Sequence, residues 1–179
     1  MKLLSPKTQL SRPITDRVKE SLFSVLYKYD LPRSKVVADL FSGVGSLGLE
    51  SLSRGAEFVT FVEKDPKVVA ILKKNIEKAG FVKDSKVMRA DAFRIGASVG
   101  FDERKYDLTF VDPPYLDTKD AGESSPLSGL MTLLSQQLDA HGIVVLRTDR
   151  RTPLLERYGR FQVIERRRWG TMAVTILQR

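Results

Sequence analysis

Apolar residues along the chain fall into two patterns that alternate from residue 36 onward. Short continuous runs rich in β-branched residues predict buried strands. These runs occupy residues 36–41, 58–62, 86–90, 108–111, 143–147, 161–167 and 171–177. The last two runs lie on either side of Trp169 and Gly170 and predict a hairpin. Strands that alternate with helices in this way indicate an α/β doubly wound domain with a parallel sheet.

The second pattern spaces apolar residues three and four positions apart, which predicts amphipathic helices. It occupies residues 15–27, 47–54, 66–79 and 127–138. The third helix is marked most clearly, because Asp65 can cap it, Pro66 suits its first turn and Gly80 can end it. The first helix precedes the sheet, so we expect it to lie across an edge of the sheet or over the functional site.

Length and composition are those of an ordinary soluble domain. The chain has 179 residues, of which 42% are hydrophobic and 29% charged, enough for one domain with a single core. We expect an N-terminal segment and helix over residues 1–35 and a core over residues 36–179. The sequence contains no cysteine, which excludes disulfides and thiolate metal sites. No apolar stretch approaches the ~18 residues of a membrane span, so we expect a cytoplasmic protein that needs no metal.

A glycine-rich turn, DLFSGVGSLGLE at residues 39–50, follows the first predicted strand. Gly43, Gly45 and Gly48 satisfy the pattern G-x-G-x-x-G between a strand and a helix. There the backbone can approach a ligand closely and the helix start offers free N–H groups. Glu63 ends the second predicted strand, where an acid accepts hydrogen bonds from ribose hydroxyls. The turn therefore predicts a nucleoside cofactor.

Nicotinamide dinucleotides and S-adenosyl-L-methionine both fit this turn. Asp39 favours S-adenosyl-L-methionine, because a negative charge there repels a pyrophosphate and attracts a sulfonium and an ammonium group. Asp91 ends the third predicted strand and can accept from an adenine amine, with Ala92 offering a backbone contact. A helix cap is the alternative role for Asp91. Phe41 and Lys64, beside these acids, complete the predicted cofactor site.

The fourth predicted strand ends in FVDPPY, residues 110–115. Pro113 and Pro114 stop strand pairing and make a rigid turn, because proline has no N–H and a fixed φ. The Asp112 carboxylate and the Pro113 carbonyl can accept hydrogen bonds from an exocyclic base amine. Tyr115 can stack on the base, worth roughly 1–3 kcal/mol, close to the few kcal/mol that unstacking needs. These four residues form the predicted catalytic site, and Asp112 also borders the cofactor; a turn in which Asp112 is only a cap is the alternative.

Charge points to an anionic partner. Thirty Lys and Arg against 22 Asp and Glu give a net charge of +8, which favours nucleic acid over a membrane surface. The basic residues crowd both ends of the chain: Lys2, Lys7, Arg12, Arg17 and Lys19 at the start, and Arg150, Arg151, Arg157, Arg160, Arg166, Arg167 and Arg168 near the end.

Four stretches together resemble RsmD-type bacterial methyltransferases: RPITDRVKESLF at 12–23, DLFSGVGSLGLESLSRGA at 39–56, VEKD at 62–65 and FVDPPY. The resemblance implies a Rossmann-like class I methyltransferase fold with a seven-stranded sheet whose last strand is antiparallel. It implies transfer of a methyl group from S-adenosyl-L-methionine to the N2 amine of a guanine in small-subunit 16S ribosomal RNA, free or in an assembly particle. It also implies that Arg17 lies over the cofactor as a carboxylate partner, and we expect a monomer.

Members of that family usually begin with a glycine-rich, basic hairpin, whereas only eleven residues precede Arg12, so we expect this RNA-contacting piece to be missing or shortened. Three other functions fit parts of the pattern: an N6-adenine methyltransferase acting on DNA or RNA, a nicotinamide-dependent oxidoreductase and an RNA-binding module without activity. The polar segment 118–128 is predicted as a lid or a plain surface loop. Trp169 is predicted either to stack on RNA or to fold back onto the core.

Overall fold

A computed structural model describes residues 3–5, 14–98 and 104–179. Its strands are β1 Val36–Leu40, β2 Phe58–Glu63, β3 Ser85–Arg89, β4 Tyr106–Val111, β5 Leu138–Asp149, β6 Arg157–Tyr158, β7 Phe161–Trp169 and β8 Met172–Gln178. Its α-helices are α1 Asp16–Leu26, α2 Ser46–Ser53, α3 Pro66–Ala79, α4 Ala92–Ile95 and α5 Pro126–Gln137. Among these, none is both long and apolar enough to cross a membrane.

The strands form one sheet in the order β3-β2-β1-β4-β5-β8-β7-β6. The first five strands are parallel, and β8 pairs antiparallel with both β5 and β7. The predicted Rossmann-like fold, the antiparallel last strand and the closing hairpin are therefore confirmed. The predicted count of seven strands is wrong by one, because β6 is only two residues long and leaves no periodic pattern.

Helices cover both faces of the sheet. Side chains of α1, α2 and α3 pack with Val37 and Phe61 on one face, and those of α4 and α5 pack with Ala38 and Val62 on the other. All five residues of β1 are buried. Burial on both faces explains why the strands read as continuous apolar runs.

Helix α1 lies on a face of the sheet, not at an edge, since the rings of Phe23 and Phe110 are 5.9 Å apart. Glu50 on α2 binds Lys19 of α1 (3.3 Å) and Arg54 (2.8 Å). The Arg54 guanidinium lies 4.7 Å from the centre of the Phe23 ring. Two of the stretches that carry the family resemblance therefore pack against each other and position α1 over the sheet.

Candidate active site

The carboxyl ends of the parallel strands bring the predicted acids to one edge of the sheet. Asp39 lies near the end of β1, Glu63 ends β2, and Asp91 and Asp112 follow β3 and β4. Asp39 is in register with Phe110, two residues before Asp112. This edge is where ligands bind in open parallel sheets.

The glycines of the turn have different roles. Gly43 has a φ of +53°, and a Cβ there would point into open space, so its backbone can face a ligand. A Cβ on Gly48 would lie 2.2 Å from the Phe61 ring, so Gly48 lets α2 pack closely on β2. The backbone of Gly48 therefore approaches the Phe61 side chain in the core, whereas the sequence analysis expected it to approach a ligand.

Glu63 is bound to the turn that it faces. Its Oε2 accepts a hydrogen bond from the Gly43 N–H (3.0 Å), and its Oε1 accepts from the Asp65 N–H (2.9 Å). Each carboxylate oxygen has a further lone pair, so Glu63 can still accept from ribose hydroxyls. The neighbouring Lys64 side chain is exposed to solvent.

Asp39 is 2% exposed, and its Oδ2 accepts from the Gly48 N–H at 2.8 Å. Burial raises the pKa of Asp39 well above its ordinary value, although the hydrogen bond from Gly48 opposes the rise. The negative charges of Asp112 and Glu63 raise the pKa further. One oxygen of Asp39 therefore anchors the start of α2 to the end of β1.

Asp91 caps α4, because its Oδ1 accepts from the Phe93 N–H at 3.0 Å. The helix cap, the alternative role predicted for this residue, is therefore present. Ala92, the next residue, is buried. Phe41, predicted as the last residue of the first strand, instead follows it with a left-handed φ of +57°, and its ring lies 4.9 Å from that of Phe93. This pair forms an apolar surface of the kind on which a purine can pack.

Asp112 is paired with a residue that the sequence analysis missed. The register of Val111 with Leu146 places Arg147 beside it, with 2.7 Å between Arg147 Nε and Asp112 Oδ1. The two groups form an ion pair in which both Arg147 Nε and Asp112 Oδ1 are buried. Burial raises the pKa of Asp112 to about 6, and Arg147 limits the rise.

The two oxygens of Asp112 are not equally accessible. Oδ1 is fully buried against Arg147, yet the Asp112 side chain keeps 20% of its exposure. Oδ2 is therefore the oxygen that can accept from an incoming amine. In the turn, Pro113 is buried and packs against the protein, whereas Pro114 is exposed to solvent.

Tyr115 begins a 3-10 turn, Tyr115–Thr118, and is half-buried. The Arg147 guanidinium lies 6.0 Å from the centre of its ring. Leu116, which the sequence analysis did not select, is 72% exposed beside it. Arg147 therefore contacts two of the predicted catalytic residues, Asp112 and Tyr115. The sequence signal that could have identified Arg147 is a charged residue at the end of the apolar run IVVL.

The segment after the turn is fastened to the sheet. Tyr158 on β6 donates a hydrogen bond from its hydroxyl to the Ala121 carbonyl (2.7 Å), and Ser125 caps α5.

Half-buried Trp169 packs on the core, the second of its two predicted roles.

Asn75 is a second missed residue. It is buried on α3, and its Nδ2 donates to the carbonyls of Val44 and Leu4, both at 3.0 Å. The hydrogen bond to Val44, which lies between Gly43 and Gly45, therefore connects α3 to the glycine turn. The position of Asn75 three residues after Leu72, on the apolar side of the helix, was the available signal.

Arg17 is exposed on the first turn of α1, and its expected place over the cofactor stays a prediction. Lys2, Lys7 and Arg12 lie outside the described residues, as does most of the segment before α1.

Comparison with known families gives one match along almost the whole chain. The family described as conserved hypothetical protein 95 matches residues 1–178. The Bacillus subtilis protein YlbH, whose name describes an rRNA methyltransferase, is 35% identical over 172 residues, which cover 94% of this chain and 88% of that protein.

One sequence and one solved structure from Escherichia coli are also similar. Ribosomal RNA small subunit methyltransferase D of strain K12 is 38% identical over 116 residues, which cover 64% of this chain and 54% of that protein. The solved structure of yhhF, whose name describes a methyltransferase, superposes with a TM-score of 0.80 at 28% identity and covers 100% of this chain and 92% of that one. The sequence match to methyltransferase D thus spans about half of that protein, whereas the structural match to yhhF spans nearly all of that chain.

Proposed function

The chain belongs to the conserved hypothetical protein 95 family, and from this premise we propose that it methylates the N2 amine of a guanine in small-subunit 16S ribosomal RNA, with S-adenosyl-L-methionine as methyl donor. The predicted resemblance to RsmD-type enzymes is confirmed by that family match and by the similarity to ribosomal RNA small subunit methyltransferase D. Its relatives are named as rRNA methyltransferases, and this supports RNA as the substrate class.

One observation carries the proposal: the Asp112 carboxylate is buried on one oxygen, partly open on the other, and lies at the strand end next to the glycine turn. Such a group can accept a hydrogen bond from a base amine while remaining fixed. Arg147 holds it from the opposite side at 2.7 Å. A cap that served only the turn would not need a buried cation behind it.

The residues at the other strand ends fit S-adenosyl-L-methionine. Glu63 retains lone pairs for ribose hydroxyls, and Gly43 leaves open space beside its backbone. Phe41 and Phe93 offer an apolar surface for adenine. The second oxygen of Asp39 suits the ammonium group. When bound, the cofactor supplies a methyl group on a positively charged sulfur.

The turn residues then act on the base. Asp112 Oδ2 and the Pro113 carbonyl accept from the two N–H groups of the amine, which orients the nitrogen lone pair. Tyr115 stacks on the base and holds it outside the RNA stack. Asp112 stabilises the positive charge that develops on the nitrogen and takes up the departing proton, a role suited to a pKa of about 6.

A nicotinamide-dependent oxidoreductase fits less well, because the carboxylates of Asp39, Glu63 and Asp112 lie close enough to raise the pKa of Asp39. A pyrophosphate there would face three acids. An N6-adenine methyltransferase would use the same turn, and only the substrate distinguishes it.

The test is transfer of tritiated methyl groups to small ribosomal subunits, to free 16S rRNA and to duplex DNA, followed by mass spectrometry of the nucleosides. We expect N2-methylguanosine from ribosomal RNA and no transfer to DNA. The Asp112→Ala protein serves as background. N6-methyladenosine, or equal transfer to DNA, would replace the proposal with the adenine alternative.

A further inference from the structure

An arginine-rich cavity of about 550 Å³ opens where β5 ends and β7 approaches it. Its lining is Arg150, Arg151, Thr152, Pro153, Arg166 and Arg168, a set we name the arginine cavity. Four of the six residues carry a positive charge, and no acid is among them. A cavity with this lining favours an anion.

The charges of the arginine cavity are only partly balanced by the protein. Arg151 pairs with Asp149 at 3.0 Å, and Arg166 donates to the Thr152 carbonyl at 2.9 Å. Arg166 Nε, however, is buried and has no hydrogen-bond partner within the described residues. Burial and the nearby charge of Arg168 lower the pKa of Arg166. An anion in the cavity would relieve the repulsion between Arg166 and Arg168.

The arginine cavity and Asp112 lie at the same edge of the sheet. β4 and β5 are parallel, so Asp112 and Asp149 both mark carboxyl ends. Arg150 lies three residues beyond Arg147, which contacts Asp112. Three residues of extended chain span about 10 Å. A single RNA strand can therefore meet the cavity and the predicted target-base site together.

We propose that the arginine cavity binds a backbone phosphate of the RNA strand whose base is delivered to Asp112. Guanidinium groups suit this role, because their planar donors match phosphate oxygens in pairs. The inference deepens the proposed function and rests on it for the identity of the RNA. The described residues thereby offer an RNA contact that does not depend on the segment before α1.

The test compares two double variants that each remove two positive charges. Arg150→Gln with Arg168→Gln changes the arginine cavity but keeps Arg166, which is bonded to the chain. Lys83→Gln with Lys105→Gln is the control, since both lysines are exposed and precede β3 and β4, at the opposite edge of the sheet. Binding of a 16S rRNA transcript is measured over a series of KCl concentrations, and thermal unfolding checks the fold.

We expect the arginine variant to bind RNA at least about tenfold more weakly near 0.1 M salt, with a slope of log affinity against log salt reduced by roughly 0.7–0.9 for each phosphate that the variant no longer neutralises. The control should keep the wild-type slope. Equal slopes in both variants would overturn the proposal, and so would arginine-dependent binding to phosphatidylglycerol vesicles without any to RNA. Because the readout is binding, the proposal stands or falls even if no methyl transfer occurs.

Discussion

The strand ends of β1, β2 and β3 hold their acids differently from the end of β4. Asp39 and Asp91 accept from backbone N–H groups in the first turns of α2 and α4, and Glu63 accepts from the backbone of the glycine turn. We call this region the amide half of the sheet edge. Asp112 in the other region instead meets the side chain of Arg147, and we call that region the arginine half.

The two kinds of contact suit two different tasks, namely holding the backbone in place and stabilising charge during a reaction. Acids bound to uncharged amides fix the glycine turn and the starts of the helices, and the spare lone pairs of the acids remain for a neutral or cationic ligand. An acid bound to a buried cation keeps its negative charge available at a pH where burial alone would protonate it. The amide half is therefore suited to hold a cofactor, and the arginine half to manage charge on a reacting base.

The largest effect should come from removing the acid of the arginine half. Asp112→Asn should lower kcat for methyl transfer by about 100- to 1000-fold, because charge stabilisation at the reacting nitrogen is lost. S-adenosyl-L-methionine should bind as in the wild type by calorimetry. Glu63→Gln, in the amide half, should show the reverse, with weaker cofactor binding and little change in kcat at saturation. Similar losses in both parameters for both variants would erase the distinction between the halves.

The next effect concerns packing beneath the amide half. Gly48→Ala should destabilise the protein by roughly 1–3 kcal/mol in urea unfolding, because a Cβ 2.2 Å from the buried Phe61 ring overpacks the core. This outweighs the ~1 kcal/mol that alanine gains in a helix. Gly129→Ala on α5 is the control, since a Cβ there meets nothing within 4 Å. A Gly48→Ala protein as stable as that control would show that α2 can move off β2.

The arginine half should reveal itself in the pH profile of kcat. Activity should fall as the pH drops through about 6, since Asp112 must be ionised to accept the amine. Arg147 lowers the pKa of Asp112, so Arg147→Gln should move this acid limb to higher pH. Arg147→Lys keeps the charge and should restore the limb toward the wild-type position. An unmoved limb in Arg147→Gln would mean that Arg147 serves packing alone.

The smallest effect should come from the cap in the amide half. Asp91→Ala should reduce the unfolding free energy by about 1 kcal/mol, the usual contribution of an N-cap. Asp91→Asn retains the capping oxygen and should recover most of that stability. If cofactor binding falls in Asp91→Ala but not in Asp91→Asn, the cap matters by holding Phe93 against Phe41.

The sequence predicted features whose causes are local. The bounds of α3 were predicted correctly because Asp65, Pro66 and Gly80 act within a few residues of the helix ends. The acids predicted at the ends of four strands lie at one edge of the sheet, because the carboxyl ends of parallel strands share that edge. By contrast, β5 begins at Leu138, before its predicted start at residue 143, because its early part pairs with Tyr106 across a shift in register.

The missed site residues depend on distant partners. Arg147 acquires its role from Asp112 on a neighbouring strand, and strand order is not written in a local pattern. Asn75 satisfies carbonyls 31 and 71 residues away. Its polar side chain alone predicts a surface position. For Asp91 the sequence predicted either a helix cap or an acceptor for an adenine amine, and the helix cap is present in the structure.

The position of β8 has a consequence for how the protein is made. The ribosome completes β6 and β7 before β8, yet β8 separates both of them from β5 in the finished sheet. During translation the β6–β7 pair therefore has no partner to join, and the edge of β5 stays open until β8 inserts. An exposed edge of this kind is where a nascent chain can pair wrongly with another, and β8 covers it once it lies between β5 and β7.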